Sequence, residues 1–325
     1  MQINRRNVLI AGAGALAAAG HLPAMAQAYP AKAVKIIVPY PAGGATDIIA
    51  RMVAEKLATK WSQPVVVDNR AGAGATVGAE AAARSAPDGY TLFETTSAHT
   101  ISASLYSKLS YDPIRDFNAI TLVATVPLAL IASPKVPART LTELLAWAKK
   151  QPGGVSIAST GNGTAQHLTA ELFKKRTGLT TVHVPYRGDA PMITDLLAGQ
   201  VDMAFVTLSA VLPHIKTGKL NAIALAHNRR MSAIPNVPTC AEAGMPDFVA
   251  ATWFGFFTPA GVPAALREQI YKDISAIVAT PEMTQKLVDM GAEVNNYSPA
   301  QFDDFIRTET AKWAEAVRIS GARID

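Results

Sequence analysis

V-K-I-I-V-P-Y-P-A-G-G-A-T-D, from Val34 to Asp47, decides how this chain is read. Lys35 to Val38 has the apolar, β-branched make-up of a short buried strand. Thr46 or Asp47 can N-cap the run that follows, I-I-A-R-M-V-A-E-K-L, whose Ile48, Ile49, Met52, Val53 and Leu57 share one helical face. Between strand and helix stand Gly43 and Gly44, without a Cβ to keep a ligand off the backbone. Free N–H groups of the turn and the helix dipole favour an anion there. A tight strand-to-helix turn with no ligand is the alternative.

Working outward, the same strand–turn–helix unit recurs. Val65 to Val67 leads into A-G-A-G-A-T-V-G and an Ala-rich helix to about Ser85. Gly72, Gly74 and Gly78 resemble a dinucleotide fingerprint, but the last spacing is one residue too long and no ribose-binding acid follows. Gly89 to Phe93 is the next strand and ends in Thr95, Thr96, Ser97, Ala98 and His99. Hydroxyls at a strand's carboxyl end face the ligand crevice of an open α/β sheet, or cap the next helix. Ile120 to Ser133 is a long β-prone run with Pro127 near its middle, read as a crossing between lobes.

The rhythm then restarts. Thr140 or Thr142 opens a helix, Val155 to Ser159 is a strand, and Thr160 to Thr164 is a second glycine- and hydroxyl-rich turn before a helix through Lys175. Val182 to Pro185 leads to Tyr186-Arg187-Gly188, where Arg187 offers a charge to a carboxylate or to solvent. Val201 to Val206 and Ala222 to Ala226 are two further strands. The return crossing is Thr252 to Pro259, with Trp253, Phe254, Phe256 and Phe257 placed in a cleft wall or in the core. Helices over 263–280 and 281–290 follow, and Ser298 with Gln301 forms a capping box before the last one.

Strands alternating with helices give an α/β protein, its sheets mainly parallel and covered on both faces. Two such blocks joined by two crossings make a bilobed hinge protein, with residues 29–126 and 253–325 in lobe 1 and 127–252 in lobe 2. The ligand is expected between the lobes.

Residues 1–28 read as an export signal of the Sec or Tat type: Arg5-Arg6, the apolar Val8 to Ala19, then cleavage sites after Ala26 or Ala28. Removing 28 of the 325 residues leaves 297, and the net charge falls from +5 to +3 because two arginines and no acid leave. This mild basicity suits a small anion and is too diffuse for nucleic acid. The His residues are scattered without metal-ligand spacing, and Cys240 is the sole cysteine, so no internal disulfide forms. Among catalytic patterns, G-x-S-x-G, H-E-x-x-H and the P-loop are missing, so the chain is not read as an enzyme. No cofactor is expected.

Eight motifs together resemble the Bug family of periplasmic solute-binding proteins. They are Y-P-A-K-A-V-K-I-I-V-P-Y-P-A-G-G-A-T-D; V-V-V-D-N-R-A-G-A-G; A-P-D-G-Y-T-L; H-V-P-Y-R-G; L-L-A-G-Q-V-D-M; L-P-H-I-K-T-G-K-L; I-P-N-V-P-T-C-A-E-A-G; and T-W-F-G-F-F-T-P-A-G-V-P. The resemblance implies a monomeric Venus-flytrap protein. It implies delivery of a ligand bearing at least one carboxylate, read here as a mono- or dicarboxylate, aromatic ones included, because of Val206 below, to the membrane permease of a tripartite tricarboxylate transporter, or in some members to a signalling partner. It also implies that the loop Ala42 to Asp47, with Gly43 and Gly44, and the hydroxyl loop around Ser97 hold one carboxylate, partly through water. The loop Ser159 to Thr164 contributes from the opposite lobe. The candidate contacts are Tyr40, Ala42, Gly43, Gly44, Asp47, Thr95, Ser97, His99, Ser159, Gly161, Thr164, Tyr186 and Thr207. After D-x-x-F the family commonly carries an acid and then Asn, whereas Val206 and Thr207 stand here. A valine cannot pair with an ammonium, so amino-acid ligands are disfavoured.

Overall fold

The computed structural model describes residues 29–325; the expected export signal over 1–28 lies outside the described residues. Strand β1 (Val34–Val38) lies parallel to β2 (Val65–Asn69) on one side and β3 (Thr91–Thr95) on the other. Four of its five residues are buried, as expected of a strand covered on both faces, and Lys35 alone reaches out toward Asp68. Beside β3 comes β9 (Ala251–Pro259), antiparallel, and then β4 (Phe117–Ala132).

Strand β4 joins the two halves. Up to Pro127 it pairs with β9; from Leu128 it pairs with β7 (Met203–Thr207) and β8 (Asn221–Leu225). Pro127 stands at the handover, where its missing N–H interrupts least. Register shifts between Ala119 and Thr121 and between Leu122 and Ala124 bend the strand before it crosses. Beyond β7 lie β5 (Val155–Ser159) and β6 (Thr181–Pro185), parallel to each other, and the short β10 (Glu293–Val294) pairs with β4 at Thr125 and Ala124. Each wing is parallel and the crossing strands between them are antiparallel. This is a bilobed α/β architecture.

Helices α1 (Ala45–Trp61), α2 (Thr76–Ala83) and α3 (Ala98–Leu105) follow β1, β2 and β3; α4 is Leu141–Ala148. In the second wing α5 (Ala165–Thr177), α6 (Asp189–Ala198) and α7 (Leu208–Lys216) follow β5, β6 and β7. Then come α8 (Ala264–Val278), α9 (Pro281–Asp289) and α10 (Pro299–Ser320). Helix α4 starts on a capping box of Thr140 with Glu143, and α10 on one of Ser298 with Gln301. Helix α10 buries Phe302 in the aromatic core of the first wing and Trp313 in the core of the second, and so ties the two. Trp253, Phe254, Phe256 and Phe257 are all at most 3% exposed; they pack the core and line no cleft. Among the described residues no helix is long and apolar enough to cross a membrane.

Candidate functional site

The sites of interest lie where strands end and helices begin. After β1, the residue before the helix is Gly44, extended at φ −78°, so Gly44 and not Thr46 or Asp47 occupies the N-cap position. Gly43 is the residue that needs glycine: its φ is +85°. Asp47 sits in the first helical turn, only 2% exposed, and its carboxylate reaches back to accept the Gly43 N–H at 2.9 Å. It also accepts from Arg51 Nε at 2.9 Å and from Asn69 Nδ2 at 2.9 Å. The Arg51 hydrogen bond, with those of Gly43 and Asn69, outweighs burial and holds its pKa down at about 2. The first amide of the glycine turn is therefore already committed to an internal anion. Ala42, Gly43 and Gly44 stand exposed in the loop beyond it.

A crevice of about 220 Å³ opens between the wings. From the first wing it is walled by Tyr40, by Gly74, and by Thr96, Ser97 and Ala98 at the start of α3. From the second wing come Asn162, Gly163 and Thr164, then Ala165 and Gln166 at the start of α5. Two helix N-termini thus face one cavity, each with first-turn N–H groups that its own helix cannot satisfy. Tyr40 Oη and Thr96 Oγ1 share a hydrogen bond of 2.6 Å, and burial pushes the Tyr40 phenol up to about 12. Gln166 Nε2 donates to Thr207 Oγ1 at 3.1 Å. The remaining wall is Ile101 and Leu105 of α3, Tyr106, Thr252, and Ile324 from the chain's last residues, apolar but for the Tyr106 and Thr252 hydroxyls. Ile324 is held by backbone hydrogen bonds to Leu105 (2.9 Å) and from Ser107 (3.0 Å). Among the described residues that line the crevice, none has a charged side chain. Such a lining offers an anion amides, hydroxyls and dipoles.

Of the residues singled out from the sequence, the crevice brings together Tyr40, Ser97 and Thr164. Thr164 caps α5, accepting from His167 N at 3.3 Å. Others stand behind the wall. His99 is 2% exposed; its ring lies 4.7 Å from Phe117 and 5.2 Å from Phe257, and its Nε2 meets the Pro113 carbonyl at 2.8 Å. Burial lowers its pKa to about 4, so it is a neutral core histidine and not a crevice contact. Thr95 and Ser159 are buried, at 1% and 0% exposed, and lie outside the lining. Gly161 shapes its loop at φ +136°, Tyr186 donates to Asp195 at 2.7 Å, and Arg187 is exposed. Val206 is fully buried opposite Ala129 and does not reach the crevice. Val206 therefore carries no argument about an ammonium ligand. Thr96, in the hydroxyl run read as facing the crevice, does line it, while sequence reasoning missed Gln166 and Ile324. Gln166 adjoins a singled-out turn; Ile324 arrives by tertiary packing alone. Cys240 is a buried free thiol whose pKa burial pushes up to about 12.

Glu94 lies beside this site on β3. It is 0% exposed and neither carboxyl oxygen has a hydrogen-bond partner. Burial, with the charge of Asp47, raises its pKa well above the carboxylate range.

Residues 49–321 match the model of the tripartite tricarboxylate transporter family receptor. The chain is 38% identical to protein BugT of Bordetella pertussis, over 98% of this chain and 96% of that one. It superposes on the structure of a periplasmic transporter with TM-score 0.80 and 37% identity, covering 92% of this chain and all (100%) of the other. It superposes on an R. palustris protein solved with adipate with TM-score 0.81 and 31% identity, covering 91% and 100%.

Proposed function

Because this chain belongs to the tripartite tricarboxylate transporter receptor family, we propose that its crevice captures a carboxylate with an apolar body for delivery to that transporter's membrane permease. It is a solute-binding protein of the kind that works in the periplasm. The observation that carries the ligand class is the crevice lining: two helix N-termini and hydroxyls, with Ile101, Leu105 and Ile324, and no charged side chain. Amides at helix N-termini stabilise an anion without a counter-charge. The lack of an acid leaves an ammonium unpaired, which disfavours amino acids.

Residues 29–126 and 253–325 form lobe 1 and 127–252 form lobe 2, with Pro127 at the boundary. Tyr40, Thr96, Ser97, Thr164 and Gln166 contact the ligand directly. Asp47, Ser159 and Thr207 hold the contacting groups in place, and the exposed backbone of Ala42 and Gly44 supplies further N–H groups at the entrance. The protein reaches the periplasm through a cleaved signal within residues 1–28, acts as a monomer, and returns its ligand unchanged. Native mass spectrometry of freshly purified protein, with identification of the small molecule released on denaturation, tests this. A carboxylate with a largely hydrocarbon body is expected. A released amino acid or sugar, or conversion of an added carboxylate to another compound, overturns the reading.

A further inference from the structure

We infer that His167 and His183 are positioning residues for the lobe 2 ligand loop, holding it through neutral rings, and that protonation of His167 frees it. The inference rests on the reading above only in taking Ser159–Thr164 as part of the ligand site. That loop contains Gly161 at φ +136° and Gly163 at φ +74°, so its backbone is intrinsically permissive and needs external ties. Two ties come from histidines. Ser159 Oγ and His183 Nε2 lie 2.6 Å apart at the loop's start, and Gly163 N donates to His167 Nδ1 at 3.0 Å near its end. The two rings stack on each other, centroids 4.0 Å apart and planes 17° off parallel. The loop is thus closed into a circuit: Ser159, His183, His167, Gly163.

Its chemistry depends on charge state. A ring nitrogen that accepts an N–H carries no proton, so His167 is the neutral tautomer with its proton on Nε2. A second proton must enter at Nδ1, where it would face the Gly163 N–H donor to donor and break the tie. Two imidazolium rings stacked at this distance would also repel. The charged groups facing the pair are Lys174 and Glu171 of α5, themselves ion-paired at 3.6 Å. Burial, then His183 and Lys174, lowers the His167 pKa to about 4; burial also lowers that of His183, against Glu171. A histidine whose pKa is depressed in the ordered state leaves that state undisturbed above the ordinary value of about 6.5 and weakens it as pH falls toward 4.

Amide hydrogen exchange on the whole ligand-free protein reads the tie directly, each rate normalised to its random-coil value. Protection of Gly163 N–H should fall about tenfold between pH 6.5 and pH 4, the loss of one hydrogen bond. His167→Asn places a non-titrating oxygen where Nδ1 stood and should keep protection level across that range. His167→Leu should already be low at pH 6.5, with circular dichroism confirming its fold. The ratio of parent to His167→Asn affinity for adipate should fall in the same window, the ligand's own titration cancelling in the ratio. Gly163 protection that ignores pH in the parent, or a His167→Asn variant that titrates like the parent, overturns the proposal. If adipate binds neither protein at any pH, the ligand reading fails for that probe, while the exchange data still decide the role of His167.

Discussion

Asp47 and Glu94 are buried carboxyls of opposite character, and each makes a residue-scale prediction. Asp47 is ionised and accepts from Gly43, Arg51 and Asn69. Asn keeps one accepting oxygen and turns the other into a donor among donors, so Asp47→Asn should cost about 2 kcal/mol in urea unfolding at pH 7. With its folded pKa at about 2 against an ordinary 3.8, the parent's contribution is complete above pH 3.8 and is lost as pH falls through 2. The parent midpoint should therefore drop across that acid window and the variant's should stay flatter; parallel profiles would refute the role. Glu94 runs the other way. Its raised pKa means that stability held at low pH is lost as pH rises, because an unpaired buried charge has nothing to answer it. Glu94→Leu should be more stable than the parent, by a margin that widens from pH 6 to pH 8, because the unfolded carboxyl is ionised there while the folded one keeps its proton; a constant margin would show that the folded carboxyl is already ionised by pH 6. The sequence made Asp47 legible as a residue of the turn. It could not show that Asp47 serves the Gly43 amide rather than capping the helix, because that choice depends on Asn69 and Arg51 arriving from elsewhere.

At the scale of elements, Gly78 shows why a motif resemblance misleads. Gly72, Gly74 and Gly78 mimic a dinucleotide fingerprint, but a Cβ on Gly78 would lie 2.7 Å from Pro39 Cβ and 2.9 Å from the Arg70 carbonyl. The glycine lets α2 pack onto the backbone that leaves β1 and β2. Gly78→Ala should destabilise by about 2 kcal/mol through overpacking against atoms that cannot rotate away. Thermal unfolding checks this, and a variant as stable as the parent would mean that α2 is free to shift. The βα alternation, both crossings and the capping box at Ser298 were legible in the sequence because apolar runs, Pro127 and cap spacings are local signals. The orientation of a side chain at a strand or helix end is not local. His99 and Ser97 share one hydroxyl-rich stretch, yet only Ser97 lines the crevice, while His99 turns onto Phe117. Strand β10 has two residues and pairs with β4 from far along the chain, so no window of sequence carries it.

For the whole molecule, two crossings between the wings would make closure a hinge motion, expected to be limited where the crevice walls touch. Gly163 of the lobe 2 loop packs on Leu105 of α3 so tightly that an added Cβ would lie 2.4 Å from Leu105 Cδ2. The crevice walls therefore meet at a point where one side has no side chain at all. A methyl group there must push the walls apart or force the loop away from Leu105; a φ of +74° adds backbone strain of about 1 kcal/mol. Strain alone lowers stability without changing shape, whereas a wedge changes shape. Small-angle scattering separates them. With saturating adipate the parent should contract from its ligand-free radius of gyration as the hinge closes. Gly163→Ala should contract less and bind at least about tenfold more weakly, since the helix N-termini of the two lobes no longer reach the same carboxylate. Equal contraction in both proteins would remove Gly163 as the stop, and a parent that binds adipate without contracting would remove hinge closure itself.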